Sequence, residues 1–378
     1  MLQSFGELKP RLAGRGNRKT ILGTILIDMK LKHIIMLLAV LPVFAHAQTQ
    51  LSLNENPYGP SPAVANAIKQ EVPHIFRYTG NEGDDLVAAI AKHEGVDKDQ
   101  IIPGDVLASL GIYLGIKGGK GSEFIYSVPG YPALVDAAAT VGGVVVSVPL
   151  NDKKENDLTA IAGKINSRTQ AIYLVNPHNP SGTVTDNKVF HDFLHQASQR
   201  ALIVVDEAYL EFSDDFAART AVNNIKAGDN VIVFRTFAKA YGLAGLAFGY
   251  AVAPKALAAY LRKQGLGSVH DLNRLSIAAV QASLTDSSYI KTVHDKVGVA
   301  REKWNKILDS LHLQHTRSQA NFIFFNVNKP YDEVNGKFKA AGITIARSFP
   351  PYNTWIRITI GLPEENIKAQ EVVKQLAK

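Results

Sequence analysis

The strongest constraint on this chain is a series of short apolar runs, each closed by a turn that carries polar residues. They are Glu123–Val128, Gly143–Pro149, Gln170–Val175, Ala201–Asp206 and Val231–Phe234. Unbroken apolar strands of this length, spaced by helical stretches such as Tyr131–Val141, predict an α/β fold with a mostly parallel sheet covered by helices on both faces. In such sheets ligand chemistry gathers at the carboxyl ends of the strands. Asn179, Asp206 and Lys239 all fall at or just after such ends. Before the series, Leu51–Pro62 is rich in Asn, Pro and Gly and reads as an extended arm. After it the pattern changes. A long helical stretch is expected from Leu272 to about Leu311. A strand at Ala320–Val327, a helix at Val334–Ala341, strands at Ile343–Arg347 and Ile356–Ile360 and a final helix at Glu364–Leu376 follow, forming a smaller α+β domain. The expected divisions are a leader at 1–47, an arm at 48–75, a large domain at 76–271 and a small domain at 272–378.

The charge balance removes one class of partner. The formal net charge is +7, but residues 1–47 hold seven Lys/Arg against two Asp/Glu. Only +2 is left for the rest, which is no electrostatic footprint for nucleic acid. The leader reads Met29-Lys30-Leu31-Lys32-His33, an apolar run from Ile34 to Phe44, then Ala45-His46-Ala47 before Gln48. That is the order of a secretory signal, with initiation at Met29 and cleavage near Ala47. The run is too short to span a bilayer comfortably, no cysteine is present for a lipid anchor, and no twin arginine precedes it. Sec-type export to the periplasm, without a stable membrane anchor, is the expectation. No metal site is expected.

Lys239 lies between the apolar run Val231-Ile232-Val233-Phe234 and the glycine-containing turn Tyr241-Gly242-Leu243-Ala244-Gly245, an unusual place for a solvated charge. Asp206 ends an apolar strand, so its carboxylate is expected to be buried, which costs several kcal/mol unless a cation pairs with it. Asn176-Pro177-His178-Asn179-Pro180-Ser181-Gly182, Val205-Asp206-Glu207-Ala208-Tyr209, Phe237-Ala238-Lys239 and Trp355-Ile356-Arg357 follow one another along the chain. In this order they resemble the fold-type I pyridoxal-phosphate aminotransferases, most closely the histidinol-phosphate aminotransferase-like branch. The resemblance runs from about Leu51 to the C-terminus.

The resemblance implies an aspartate-aminotransferase-like fold with a seven-stranded-type sheet, pyridoxal 5'-phosphate as cofactor, and a homodimer with shared active sites. It makes Lys239 the catalytic lysine, which joins the cofactor as an aldimine and carries the proton between the substrate α-carbon and the cofactor. It sets Asp206 on the pyridine nitrogen, Asn179 and Tyr209 on the phenolic oxygen, and Tyr131 against the ring. Thr236, Asp105 and Val106 fall at the phosphate, with Tyr78 reaching the phosphate of the neighbouring subunit. Arg357 would grip the substrate carboxylate and Asn56, in the arm, would lie beside the substrate. An amino donor, an amino acid or amino-alcohol phosphate, and a 2-oxo acid acceptor are the implied small-molecule partners.

The departures concern the phosphate. Where the family has an arginine eight residues after the lysine, this chain has Ala247, and Ala238 stands in place of a serine. The glycine-rich turn reads Gly104-Asp105-Val106-Leu107. Backbone N–H groups at a helix N-terminus still bind anions without those side chains, while the Asp105 carboxylate opposes them. The motifs do not fix which bond at the α-carbon breaks. Decarboxylation or elimination on the same fold, and amino-acid or amine binding without catalysis, stay open as alternatives.

Overall fold

The computed structural model describes residues 48–378, and the leader expected at 1–47 lies outside the described residues. Eleven strands occur in this order: β1 (Thr49–Leu51), β2 (Ile101–Pro103), β3 (Glu123–Val128), β4 (Val144–Pro149), β5 (Thr169–Val175), β6 (Leu202–Asp206), β7 (Val231–Thr236), β8 (Gly249–Val252), β9 (Phe322–Asn326), β10 (Ile343–Ile345) and β11 (Trp355–Thr359). Seven of them form one sheet in the order β2-β8-β7-β6-β5-β3-β4. β8 runs antiparallel to both its neighbours and the remaining pairs are parallel.

Alternation explains why the strands are apolar throughout. Ile125, Ile172, Leu174, Ile203, Val205, Val231 and Val233 enter one core. Their neighbours Phe124, Ala171, Tyr173, Val204, Ile232 and Phe234 enter a second core on the other face. Both faces are therefore dry, and polar residues collect where the strands end. The parallel register places Val175, Asp206 and Phe234 across from one another. The loops that leave these ends are tied together, Asn176 N–H donating to Asp206 O at 2.9 Å and Glu207 N–H to Phe234 O at 2.9 Å.

The smaller C-terminal domain is built on the antiparallel pair β9/β11 and on β10, which pairs in parallel with β1. The arm is thus strand at its start, and it ends at Ser61, whose hydroxyl caps helix Pro62–Glu71. Three expectations are corrected in detail. The helix expected at Tyr131–Val141 is Ala133–Ala139. The stretch expected to be helical from Leu272 to Leu311 is two helices, Arg274–Thr285 and Ser287–Ser310, divided at Asp286. The Asp286 carboxylate accepts from Tyr289 N–H and starts the second helix, which is the ordinary action of an N-cap. The last correction is that β2 and β8, which were not expected as strands, close one edge of the sheet.

Candidate functional site

Lys239 follows β7 on a loop that packs against the arm. Gly242, at φ 72°, sits so close to Gly59 and Pro60 that a Cβ there would overlap their backbone. The Lys239 Nζ donates to Leu53 O at 3.0 Å and lies 5.9 Å from the centre of the Tyr209 ring. Loss of water on burial, and then the nearby Arg357 guanidinium, push its pKa down to about 8 against the pull of Glu55 and Asp206. A lysine in this state is a usable base near neutral pH.

Asp206 is 2% exposed. Its carboxylate accepts from Tyr173 Oη at 2.9 Å and from Ala208 N–H at 3.0 Å. Burial outweighs these bonds and pushes its pKa up to about 6. Its hydrogen-bond partners are neutral, so a protonated ring nitrogen is the kind of group that completes its environment. Tyr131, half-exposed, feels both Asp206 and Asp105, and its hydroxyl pKa is raised chiefly by burial.

A run of hydrogen bonds crosses the site. The Tyr209 hydroxyl accepts from Asn54 Nδ2 at 3.1 Å and Asn179 Nδ2 at 3.4 Å. Asn179 Oδ1 accepts from Arg357 Nη1 at 2.5 Å, and Ser52 O accepts from Arg357 Nη2 at 2.6 Å. Burial pushes the Tyr209 hydroxyl up to about 12. Arg357 alternates with Ile356 and Ile358, which enter the core, so its side chain faces away from them, over Phe322 and Phe349. It is 8% exposed, burial pulls its pKa down to about 10, and its Nε has no hydrogen-bond partner. No carboxylate pairs with this guanidinium among the described residues. A buried, uncompensated cation with a spare donor fits a carboxylate ligand.

The other expected residues are placed as follows. Thr236 Oγ1 accepts from Ala238 N–H at 3.1 Å and donates to Phe248 O at 3.3 Å. Helix Leu107–Gly118 starts after Val106 with no side-chain cap on its N–H groups. Asp105 stands just before it at the surface, where neighbouring protein atoms strip part of the water from its carboxyl and raise its pKa. Ala247 is exposed at φ 46°. Tyr78 is 98% exposed, and its backbone carbonyl accepts from Arg274 at 2.9 Å. Asn56 is engaged by backbone: its Nδ2 donates to Ala240 O at 2.9 Å and its Oδ1 accepts from Tyr58 N–H at 3.0 Å. The arm residue that meets Tyr209 is Asn54. Its left-handed φ of 56° is secured by Thr359 and Asn321.

Asn54 and Tyr173 are site residues that the sequence reading did not single out. For Tyr173 a signal existed, since a tyrosine inside a dry strand needs a partner for its hydroxyl. The ring side of the site therefore fits a pyridoxal phosphate in its donor set, and the phosphate side offers backbone N–H groups and one threonine.

The model of the family described as aminotransferase class I and II matches residues 46–372. Histidinol-phosphate aminotransferase of Limosilactobacillus fermentum is 33% identical over 334 residues, spanning 87% of this chain and 91% of that protein. Aromatic amino acid aminotransferase of Cutibacterium acnes is 32% identical over 339 residues, spanning 87% and 92%. The crystal structure of histidinol-phosphate aminotransferase from Sinorhizobium meliloti in complex with pyridoxal-5'-phosphate superposes with a TM-score of 0.79 at 28% identity, covering 87% of this chain and 92% of that one.

Proposed function

We propose, because this chain belongs to the class I and II aminotransferases and so is a pyridoxal-phosphate-dependent transaminase, that it moves the amino group of a free amino acid to a 2-oxo acid. The observation that carries this reading is Arg357, a buried guanidinium with an unpartnered Nε, joined through Asn179 to Tyr209 beside Lys239. Such a group takes the α-carboxylate that amino acids and 2-oxo acids share. An amino-alcohol phosphate would offer it a phosphate instead, and the relatives named for histidinol phosphate keep that donor within the reading.

When bound, pyridoxal phosphate supplies an electron sink that acidifies the substrate α-hydrogen. Asp206 would hold the ring nitrogen, Tyr209 and Asn179 would hold the ring oxygen, and Tyr131 would pack against the ring. Thr236 and the N–H groups following Asp105 and Val106 would hold the phosphate. Arg357 fixes the substrate by its carboxylate. Lys239 would take the proton at the α-carbon; its lowered pKa suits that exchange. Asn56 keeps the arm against the Lys239 loop. Tyr78, almost fully exposed, is suited to reach a neighbouring subunit in a homodimer. Export to the periplasm rests on the residues from Met29 to Ala47 and is checked by fractionating cells.

The test is an absorbance spectrum of purified protein before and after borohydride, with Lys239→Ala alongside. A visible band that borohydride traps only with Lys239 present is expected. In turnover, loss of the lysine should cost about 10²–10⁴-fold from proton transfer alone. Screening amino acids for 2-oxo acid formation then identifies the donor. Release of carbon dioxide in place of a 2-oxo acid would overturn the transamination reading.

A further inference from the structure

Behind the site, on the opposite face of the sheet from Asp206, lies a second group of ionisable side chains that the chemistry above leaves unused. Alternation along β7 puts Arg235 on the face of Val231 and Val233, and alternation past β6 puts Glu207 on that of Ile203 and Val205. Arg235 is 2% exposed and meets three carboxylates. Its Nη2 lies 3.0 Å from Glu207, its Nε 3.1 Å from Glu94 and its Nη1 3.7 Å from Glu211. Glu94 ends helix Glu82–Glu94 and accepts from Tyr250 Oη at 2.5 Å. The Phe216 ring covers the guanidinium at 4.5 Å.

Only part of this group is directional. Nε and Nη1 have no aligned hydrogen bond, so Glu94 and Glu211 are held by charge. The one aligned bond of the guanidinium runs from Nη2 to Thr220 Oγ1 at 2.9 Å, and the Thr220 hydroxyl and Ala221 N–H both donate to Glu207. The firm tie therefore runs from Arg235 through the Thr220 hydroxyl to Glu207, and the 3.0 Å approach of the two charges reinforces it. Three carboxylates and one guanidinium out of water are a poor source of stability, since an apolar set of equal volume does as well or better. What such a set supplies is one fixed arrangement. Here it fixes two segments: Glu207 directly follows Asp206, Glu211 stands two residues past Tyr209, and Arg235 precedes Lys239 by four.

We propose that Arg235 is a positioning residue, which through Glu207 locks the Asp206–Tyr209 turn against the Thr236–Lys239 segment and so keeps Lys239 Nζ beside Tyr209, out of bulk water. The inference rests on the assignment of Lys239 above, and its test needs no cofactor. In the full-length protein stripped of cofactor, Lys239 is labelled with an amine-reactive reagent across pH and read by peptide mass spectrometry, giving the midpoint of its deprotonation. In the unaltered protein the midpoint is expected near 8. Arg235→Met should raise it by about one unit as the ammonium gains water, about a tenfold loss of the reactive form at neutral pH, and Arg235→Lys should recover part. Glu207→Gln should raise it too.

That last sign is decisive, because merely deleting a negative charge would lower a lysine midpoint. Phe338→Leu, buried in the C-terminal domain, destabilises without touching the tie and should leave the midpoint in place. If Arg235→Met does not fold, Glu207→Gln decides alone. A midpoint that is unchanged or lowered in folded Glu207→Gln, or raised equally by Phe338→Leu, overturns the proposal. Loss of borohydride trapping with these shifts intact would remove the role assigned to Lys239 and leave the positioning standing.

Discussion

On one side of the site Asn54, Tyr209, Asn179 and Arg357 form an unbroken run of hydrogen bonds, and Asp206 is held by Tyr173 and Ala208. On the other side, around Gly104–Leu107, Thr236 and Ala247, the groups are backbone N–H, one hydroxyl and small side chains. In the function proposed above, the first side would set the electronics of a bound ring and the grip on a carboxylate, and each of its polar groups limits the position of the next. The second side only anchors. On that reading its sparse donor set would lower cofactor affinity without disturbing the reacting atoms.

Arg357→Ala should give the largest effect on this contrast. Losing a charge-assisted contact of about 1.5–3 kcal/mol lowers kcat/KM for the amino acid by one to two decades, and Asn179 and Ser52 are left with unmade bonds besides. The visible spectrum of the bound cofactor should stay. Steady-state kinetics and the spectrum together check this, and an equal loss of cofactor would mean that the two sides are not separable.

Ala247→Arg comes next. Residue 247 is already left-handed with a Cβ in place, so the longer side chain adds little backbone cost. A cation restored to the anchoring side should tighten pyridoxal phosphate by about one decade, measured by titrating cofactor-stripped protein. An unaltered affinity would show that the phosphate does not lie near this position.

The smallest effect belongs to Asp105→Asn. Burial raises this carboxyl above its usual range, so it gains its charge only as pH rises through that raised value. Above it, the carboxylate opposes an anion at the helix N-terminus. The asparagine variant should therefore bind the cofactor severalfold more tightly at neutral pH, roughly 1 kcal/mol or less, with the difference vanishing in acid. Binding isotherms at several pH values check the trend, and a gain that persists at low pH would argue against a charge effect.

The central strands were legible because a strand dry on both faces must be apolar throughout, and Asp206, Asn179 and Lys239 followed from where those strands end. β2 and β8 were not, since Ile101-Ile102-Pro103 and Gly249-Tyr250-Ala251-Val252 are short and gain strand form from pairing with each other and with β7. Asn54 was missed for a related reason. Its conformation is fixed by Thr359 and Asn321, about three hundred residues away in sequence, and no local pattern announces such partners. Arg235 sits inside an apolar strand and Glu207 just past the end of another, and only their pairing with each other and with Glu94 of helix Glu82–Glu94 reveals why they are tolerated.

The pairing of β1 with β10 bears on how the molecule comes into being. Thr49 lies opposite Ile343, and the carbonyls of Ser52 and Leu53 just beyond receive Arg357 and Lys239. The earliest described residues must therefore wait for nearly the last before they have a place. During synthesis the large sheet has all its strands well before the ribosome reaches Arg357, so a nascent chain has a sheet but no competent site. Any trimming of the N-terminus must stop short of Thr49, because beyond that point it removes a strand and the backbone that receives both cations.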